Sequence, residues 1–248
     1  MKIDANSVTF EPQDMAFVKK FGILKATEMV LDYHAEHPNL PFLYDAEQLA
    51  GFLGISRGEL NDIVNHIQKE YKETRLPKKD GTYRNLCVPS IRLRFCQDPI
   101  KEKILPQLPV SKFATAYQKG STTRGNAEPH IGKKFLLKLD ITDFFGSITF
   151  EQVQRTAFNT RYVSRQVGYL LTSLCCKDDS LPQGAATSPV LSNIVMYRFD
   201  DYIGRWCSQR QIAYTRYCDD MTFSANRPLY GVYQKVKTML RLSLIHIS

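Results

Sequence analysis

Apolar residues recur at helical spacing through the first part of the chain. Phe17, Phe21 and Leu24 are separated by about one helical turn each, and Ser56 is a suitable N-cap for a later helix. Residues 1–70 are therefore predicted to form a helical region. Within it, we expect helices over residues 17–34, 46–53 and 57–71, with a Pro-containing break at 37–41.

The pattern changes after residue 70. Asp80-Gly81 is a typical hairpin turn, and the strand 85–88 follows it. A basic amphipathic helix is predicted over residues 91–105, and residues 106–134 are predicted to be mostly loop.

From residue 135 onward, strands and helices mix, which predicts an α+β fold. Residues 135–140 form a continuous apolar run ending in Asp140 and predict a buried strand. Two strands, 212–217 and 221–224, are separated by a very tight turn. Helices are predicted at 150–157 and 163–174. A long helix is predicted after Pro189, and its inward-facing residues are Leu191, Ile194, Val195 and Phe199. A final helix is predicted along the apolar positions Val232, Val236, Met239 and Leu240.

Composition narrows the class of protein. The chain has 248 residues, 43% of them hydrophobic and 23% charged, which excludes intrinsic disorder as the starting assumption. No apolar run approaches the roughly 20 residues that span a bilayer, and no apolar stretch follows Lys2, so a cytoplasmic protein without membrane association is expected. The six cysteines form no Cys-x-x-Cys pair, which argues against zinc and a disulfide framework.

Positive charge is concentrated in one quarter of the chain. The formal net charge is +8, and residues 72–134 hold 14 Lys and Arg against five Asp and Glu. A basic block attracts nucleic acid through its phosphates, although a solvated surface has the same composition. Residues 46–60 also resemble the first half of a helix-turn-helix, a pattern that plain helical packing shares.

Three segments carry candidate chemistry. Asp140 and Asp143 follow an apolar strand, and Asp219-Asp220 lies between two strands. Adjacent acids repel each other, and carboxylates from neighbouring strands can hold Mg²⁺ ions for phosphoryl transfer. Each acidic segment alone could be a polar turn or a cap. The third segment, residues 181–189, is a Gly-containing loop that opens a helix, an arrangement that favours phosphate.

In this order and spacing, the segments resemble the reverse transcriptase family, most closely its bacterial retron group. The chain contains Asp140-x-x-x-Phe144-Phe145, Leu181-Pro182-Gln183-Gly184 and Tyr217-x-Asp219-Asp220. Asn126-Ala127-Glu128-Pro129-His130 matches a signature that favours retrons over group II intron enzymes. Cys218 stands where retron enzymes often have Ala.

The resemblance implies a right-hand polymerase fold with a ferredoxin-like antiparallel palm sheet and packed helices. Fingers are expected at 71–134 and an incomplete palm at 135–242, without a thumb. Residues 243–248 are expected to be a non-native tail, which would make the chain a truncated fragment that is inactive or binds templates poorly.

The resemblance also implies roles for individual residues. Asp140, Asp219 and Asp220 would be catalytic and would bind two Mg²⁺ ions with the Ile141 carbonyl. Nucleotide-binding roles fall to Lys79 (or Lys78), Arg84, Asp143, Phe144, Phe145, Gln183 and Gly184, with Phe145 as a steric gate against ribose. Nucleic-acid contacts are expected from Arg92, Arg94, Asn126, His130 and Tyr217, where His130 orients a loop or contacts RNA.

The implied activity is RNA-directed DNA synthesis on a structured noncoding RNA. The expected partners are the RNA template and primer, deoxynucleoside triphosphates and an effector protein, in phage defence. A group II intron or other prokaryotic reverse transcriptase, and a noncatalytic nucleic-acid-binding protein, are the alternatives.

Overall fold

The computed structural model describes residues 2–4, 7–77, 81–161 and 163–244. Helices and strands are mixed along the chain, which confirms the α+β class. The strands are β1 (Lys2–Asp4), β2 (Ser7–Thr9), β3 (Tyr71–Pro77), β4 (Tyr83–Pro89), β5 (Phe135–Asp140), β6 (Ala213–Tyr217) and β7 (Asp220–Ala225). The α-helices are α1 (Met15–Phe21), α2 (Ile23–Glu36), α3 (Ala46–Leu53), α4 (Arg57–Asn65), α5 (Ile91–Pro99), α6 (Thr123–Ala127), α7 (Phe150–Thr156), α8 (Arg165–Cys175), α9 (Ser188–Ser208) and α10 (Val232–Leu244).

The N-terminal region is helical except at its beginning and its end. Strands β1 and β2 form a small hairpin that the helical prediction for residues 1–70 missed. The helix predicted to reach residue 71 stops at Asn65, and Tyr71 starts β3 after a 3₁₀ turn over Ile67–Glu70. Pairing of β3 with β4 decides this boundary, and local apolar spacing carries no information about that partner. The predicted Ser56 cap is confirmed, since its Oγ accepts from the Glu59 N–H.

Helices α3 and α4 adopt the predicted helix–turn–helix arrangement, joined at Gly54 in the left-handed conformation. Helix α4 is a poor surface for DNA. It exposes Glu59 and Asp62, and Asp62 is ion-paired with Arg92 at 2.6 Å. Exposed carboxylates repel phosphate, so the structure of this segment favours helical packing over DNA binding.

The β3–β4 hairpin forms the expected fingers element. Its register runs from Tyr71 opposite Pro89 to Pro77 opposite Tyr83, and Gly81 has a φ of +82°. Lys78 and Lys79 lie outside the described residues. The helix predicted over 91–105 is α-helical only to Pro99 and continues as a π-helical turn, because proline has no N–H to donate. Residues 106–134 are mostly loop, as predicted.

A three-stranded antiparallel sheet forms the expected palm, in the order β5-β7-β6. Helices α7, α8 and α9 contribute to one hydrophobic core with it. Leu191, Ile194 and Phe199 of α9 are buried as predicted, whereas Val195 is partly exposed. The core extends from Leu40 to Val236, and the domain boundaries remain predictions.

Strand β5 is not the buried strand that its apolar run predicts. Phe135 is 42% exposed and Leu136 is 59% exposed. The strand lies at an edge of the sheet, and among the described strands it pairs with β7 alone. An apolar run does not distinguish an edge strand from a central one, so the sequence pattern overestimated its burial.

Candidate active site

Three carboxylates meet at one end of the palm sheet. Asp140, the last residue of β5, is the direct cross-strand partner of Asp220, the first residue of β7. Asp219 precedes it in the two-residue turn between β6 and β7, where Cys218 has a φ of +60°. The Ile141 N–H donates to the Asp219 carbonyl at 3.2 Å. Antiparallel pairing therefore brings the two predicted acidic segments together.

These acids repel one another. Partial burial, followed by the charges of Asp219 and Asp220, raises the pKa of Asp140, while Lys138 acts in the opposite direction. The Lys138 Nζ lies 3.9 Å from Asp220 Oδ2. One exposed lysine cannot offset three carboxylates, so the site retains a negative field.

The chemistry of this donor set suits a divalent cation. Carboxylate oxygens are hard ligands that Mg²⁺ prefers, and a cation removes their repulsion. Among the described residues, no three His, Cys, Asp or Glu side chains are already drawn together around one point. The three aspartates lie at the same end of the β5–β7 pair and are at least partly exposed. This arrangement fits a cation that draws them together when it binds.

Removing one of these charges should stabilise the metal-free protein. A raised pKa means that the folded state binds the Asp140 proton more tightly than the unfolded state, so this group lowers stability as the pH rises above 3.8. We expect Asp140→Asn to raise the unfolding midpoint at pH 7, with a gain that shrinks as the pH falls through the raised pKa.

Thermal unfolding in EDTA at several pH values measures this gain. Asp201→Asn, which removes an acid paired with Arg205 on α9, is the control and should give no gain. Added Mg²⁺ should stabilise the wild type more than Asp140→Asn. A gain at pH 7 that is absent, or equal in the control, would contradict the mutual repulsion.

A cleft of about 620 Å³ opens beside Asp140 and Asp219. One wall is the fingers hairpin, another is the turn after β5, and a third is the loop that precedes α9. The predicted nucleotide-binding residues on its surface are Arg84, Asp143, Phe144, Phe145 and Gln183. The structure thus brings the β4 side of the hairpin, including Arg84, and two palm segments to the carboxylates.

Gly184 joins the fingers to the palm by close backbone approach. Its φ is +130°, and a Cβ built on it would lie 2.8 Å from the Cys87 carbonyl oxygen of β4. The Cys87 N–H also donates to the Gln183 carbonyl at 2.8 Å. A glycine is required here because any side chain would push the two backbones apart.

We expect Gly184→Ala to lower the free energy of unfolding by about 1–3 kcal/mol and to widen the cleft. Urea unfolding measures the first effect. Gly120→Ala is the matched control, because Gly120 also has a positive φ but has nothing within 4 Å of a built Cβ. Equal losses in both variants would show that backbone strain, and not contact with β4, is the cause.

Phe144 and Phe145 occupy different environments in the turn after β5. Phe144 is buried, whereas Phe145 is partly exposed and lines the cleft, with ring centroids 5.4 Å apart. Asp143 has a φ of +48°, and its carbonyl accepts from the Ser147 N–H at 2.8 Å. The turn therefore presents the Phe145 ring to the cleft beside Asp140.

A family model described as "Reverse transcriptase (RNA-dependent DNA polymerase)" matches residues 76–248. The chain belongs to the reverse transcriptase family. Its curated relatives include retron Ec86 reverse transcriptase of Escherichia coli, which is 31% identical over 82% of this chain and 63% of the relative. Retron Ec83 reverse transcriptase, also of Escherichia coli, is 36% identical over 68% of this chain and 58% of its own.

Retron Mx65 reverse transcriptase of Myxococcus xanthus is 32% identical over 75% of this chain and 49% of its own. The chain thus spans about half to two thirds of the length of these relatives. No helix in the described part of the chain is long and apolar enough to cross a membrane.

The environment of His130 fits the first of its two expected roles, orienting a loop, and a contact with RNA stays a prediction. The ring is 8% exposed; its Nδ1 lies 2.7 Å from Ser224 Oγ and its Nε2 lies 2.9 Å from Thr215 Oγ1. Burial, aided by Lys133, lowers its pKa, so a neutral ring fits this place. His130 holds its loop against β6 and β7.

The remaining predicted nucleic-acid contacts differ in availability. Arg92 is held by Asp62 and by Glu70 at 2.8 Å, and phosphate would compete with these carboxylates. The Asn126 Oδ1 already accepts from the Thr115 hydroxyl at 2.6 Å. Arg94 is exposed and Tyr217 is partly exposed. All four nucleic-acid contacts remain predictions.

Sequence reasoning missed a buried ion pair behind the aspartates of the candidate site. Arg216 and Asp200 are both fully buried and meet at 2.6 Å. Burial disfavours the charged guanidinium, but Asp200 outweighs this effect and the pKa of Arg216 is raised. The signal was present in α9, where Asp200 lies on the same helical face as Asn193 and Ile203, both buried.

Lys177 was also missed. Its Nζ lies 3.1 Å from Glu73 Oε1 on β3 and 2.7 Å from Asp178 Oδ2, and its side chain is only 10% exposed. The hydrogen bond with Asp178, against the cost of burial, raises the pKa of Lys177. The ion pair between Lys177 and Glu73 joins the fingers hairpin to the palm at the edge of the cleft.

Proposed function

We propose that this chain is the fingers and palm of a retron-type RNA-directed DNA polymerase, which adds deoxynucleotides to a primer on an RNA template. The observation that supports this best is the pairing of Asp140 with Asp220 beside Asp219, at the mouth of a cleft that Gln183 and Arg84 line. The family and the retron relatives supply the reaction class.

The residues of the cleft suggest how the reaction proceeds. Asp140, Asp219 and Asp220, with the Ile141 carbonyl, would hold two Mg²⁺ ions. Cations bound there would lower the pKa of the primer hydroxyl and offset charge on the departing pyrophosphate. Their ligands come from a short turn and two paired strands, so strand pairing keeps the carboxylates near one another and a bound cation would draw them together.

The cleft walls would bind and select the nucleotide. Arg84, exposed on β4, would contact the triphosphate, and Lys79 would add a second charge from the same hairpin. Gln183 would line the pocket, and Asp143 would support the turn beside the triphosphate. The Phe145 ring would fill the space that a ribose 2′-hydroxyl needs.

The proposed partners follow from the relatives and the charge. The template and primer would be a structured noncoding RNA of the retron type, held by the basic fingers region. An effector protein, a role in phage defence and a cytoplasmic location belong to the same proposal. A group II intron type of enzyme would use a different template. A comparison of extension on a retron RNA with extension on an unrelated RNA distinguishes the two.

Primer extension on an RNA template tests the proposal. We expect Mg²⁺-dependent incorporation of deoxynucleotides, abolished by EDTA, by this chain at a lower rate than by a full-length retron relative, because the expected truncation weakens template binding. A folded chain that binds the primer–template but incorporates no deoxynucleotide would contradict the proposal. That result would favour the noncatalytic alternative.

A further inference from the structure

Arg216 connects several parts of the palm through one buried side chain. It lies in β6, two residues before Cys218, and is fully buried. Its guanidinium donates to both Asp200 oxygens, from Nε at 2.9 and 3.1 Å and from Nη2 at 2.6 Å. Nη2 also donates to Asn193 Oδ1 at 3.0 Å. These contacts anchor the side chain to α9.

The remaining nitrogen reaches the turn that carries Asp219. Arg216 Nη1 donates to the Cys218 carbonyl at 2.7 Å, so it fixes the peptide that links Cys218 to Asp219. Cys218 has a φ of +60°, a conformation that is unfavourable for a residue with a Cβ and needs support from its surroundings. The guanidinium supplies that support directly behind a predicted metal ligand.

Two further contacts extend the network to the turn after β5 and to the backbone at Ala116. The guanidinium carbon of Arg216 lies 5.7 Å from the centroid of the Phe144 ring, and Phe144 precedes the cleft residue Phe145. Asn193 Nδ2 donates to the Ala116 carbonyl at 2.7 Å. The Arg216 side chain thus contacts the Cys218–Asp219 turn, the buried ring of Phe144 and helix α9.

A buried ion pair alone is weak evidence for a stabilising role. Well-packed apolar residues often replace such a pair without loss of stability, whereas removal of one partner is costly. A pair kept only for packing would need no bond to the turn. The Cys218 contact distinguishes Arg216, because its planar guanidinium presents separate nitrogens to the carboxylate and to the carbonyl, whereas lysine offers a single nitrogen.

We propose that Arg216 is a positioning residue that sets the conformation of the Cys218–Asp219 turn and thereby the affinity of the site for divalent cations. This inference rests on the proposed function, because it assumes that Asp219 and Asp220 bind those cations.

Direct Mn²⁺ binding, followed by electron paramagnetic resonance, tests the inference without relying on activity. Arg216→Lys keeps a charge for Asp200 but loses the bond to Cys218. The double variant Arg216→Met with Asp200→Leu removes the ion pair while retaining apolar volume. For both, we expect urea unfolding to show a folded protein and the Mn²⁺ dissociation constant to rise about 10- to 100-fold, as for other residues that orient metal ligands.

Val167→Ala is the control for general loss of stability, because Val167 is fully buried in α8 away from the turn. Its Mn²⁺ affinity should equal that of the wild type. If either Arg216 variant folds and binds Mn²⁺ as the wild type does, or if Val167→Ala loses affinity equally, the inference is overturned.

The proposed function fails in a different way. The double variant Asp219→Asn with Asp220→Asn tests the metal site itself. If the wild type does not bind Mn²⁺, or if this double variant binds it equally well, the metal site is wrong and the inference falls with it. Wild-type binding that needs these aspartates but not Arg216 overturns the inference alone.

Discussion

Replacing Asp219 and Asp220 together by asparagine should reduce the rate of primer extension by roughly a thousandfold or more, because metal-assisted charge stabilisation contributes several kcal/mol to such reactions. In the structure, Asp220 is the cross-strand partner of Asp140, and Asp219 lies in the adjoining turn between β6 and β7. The double change removes two of three carboxylates without altering side-chain size. Single-turnover incorporation of one deoxynucleotide on an RNA template, at saturating Mg²⁺, measures the effect.

Asp201→Asn is the matched control for this experiment. Asp201 is an acid of the same kind on α9, paired with Arg205 at 2.6 Å, and it does not line the cleft. Its rate should be that of the wild type. Extension by the double variant at a rate comparable to the control would exclude Asp219 and Asp220 as metal ligands.

Removing the Phe145 ring should lower sugar selectivity. The ring lines the cleft and is only partly buried, so Phe145→Ala opens space beside Asp140 for a 2′-hydroxyl. We expect the preference for a deoxynucleotide over its ribonucleotide, as a ratio of kcat/KM values, to fall roughly ten- to a hundredfold. The change should come mainly from faster use of the ribonucleotide.

Phe150→Ala controls for the loss of an aromatic ring. Phe150 is also partly buried and packs on Tyr169 at 5.5 Å, away from the cleft. This variant should lose stability and retain its selectivity. An unchanged ratio in Phe145→Ala would contradict the steric gate, even if both variants remain active.

The elements of the palm could largely be predicted from the chain. Strands β6 and β7 and helix α9 carry strong periodic or apolar patterns, and the structure confirms them to within a few residues. The β1–β2 hairpin could not be predicted in this way, because two three-residue strands are too short for a periodic signal. The end of α5 at Pro99 was missed because the apolar spacing continues through the proline.

The candidate site could be predicted in part. Asp140, Asp219 and Asp220 were identified from their motifs, and strand pairing does bring them together. The positions of Gln183 and Arg84 along one cleft also agree with the motif order. The internal position of His130 could not be predicted, because its partners Thr215 and Ser224 lie on strands about 90 residues later.

The sequence by itself determined which residues are available for chemistry: the acids, the glycine loop, the aromatic pair and the basic block. It also determined local structure where spacing is regular, because helical and strand periods depend on neighbours along the chain. These features were enough to indicate the family.

Only the tertiary structure decided which side chains are buried and which partners they find. It exposed the apolar strand β5, turned His130 inward and joined Arg216 to Asp200 behind the Cys218 turn. The physical reason is that burial and pairing depend on contacts between residues far apart in the chain. A local pattern specifies a residue's own conformation, whereas packing of the whole chain specifies its environment.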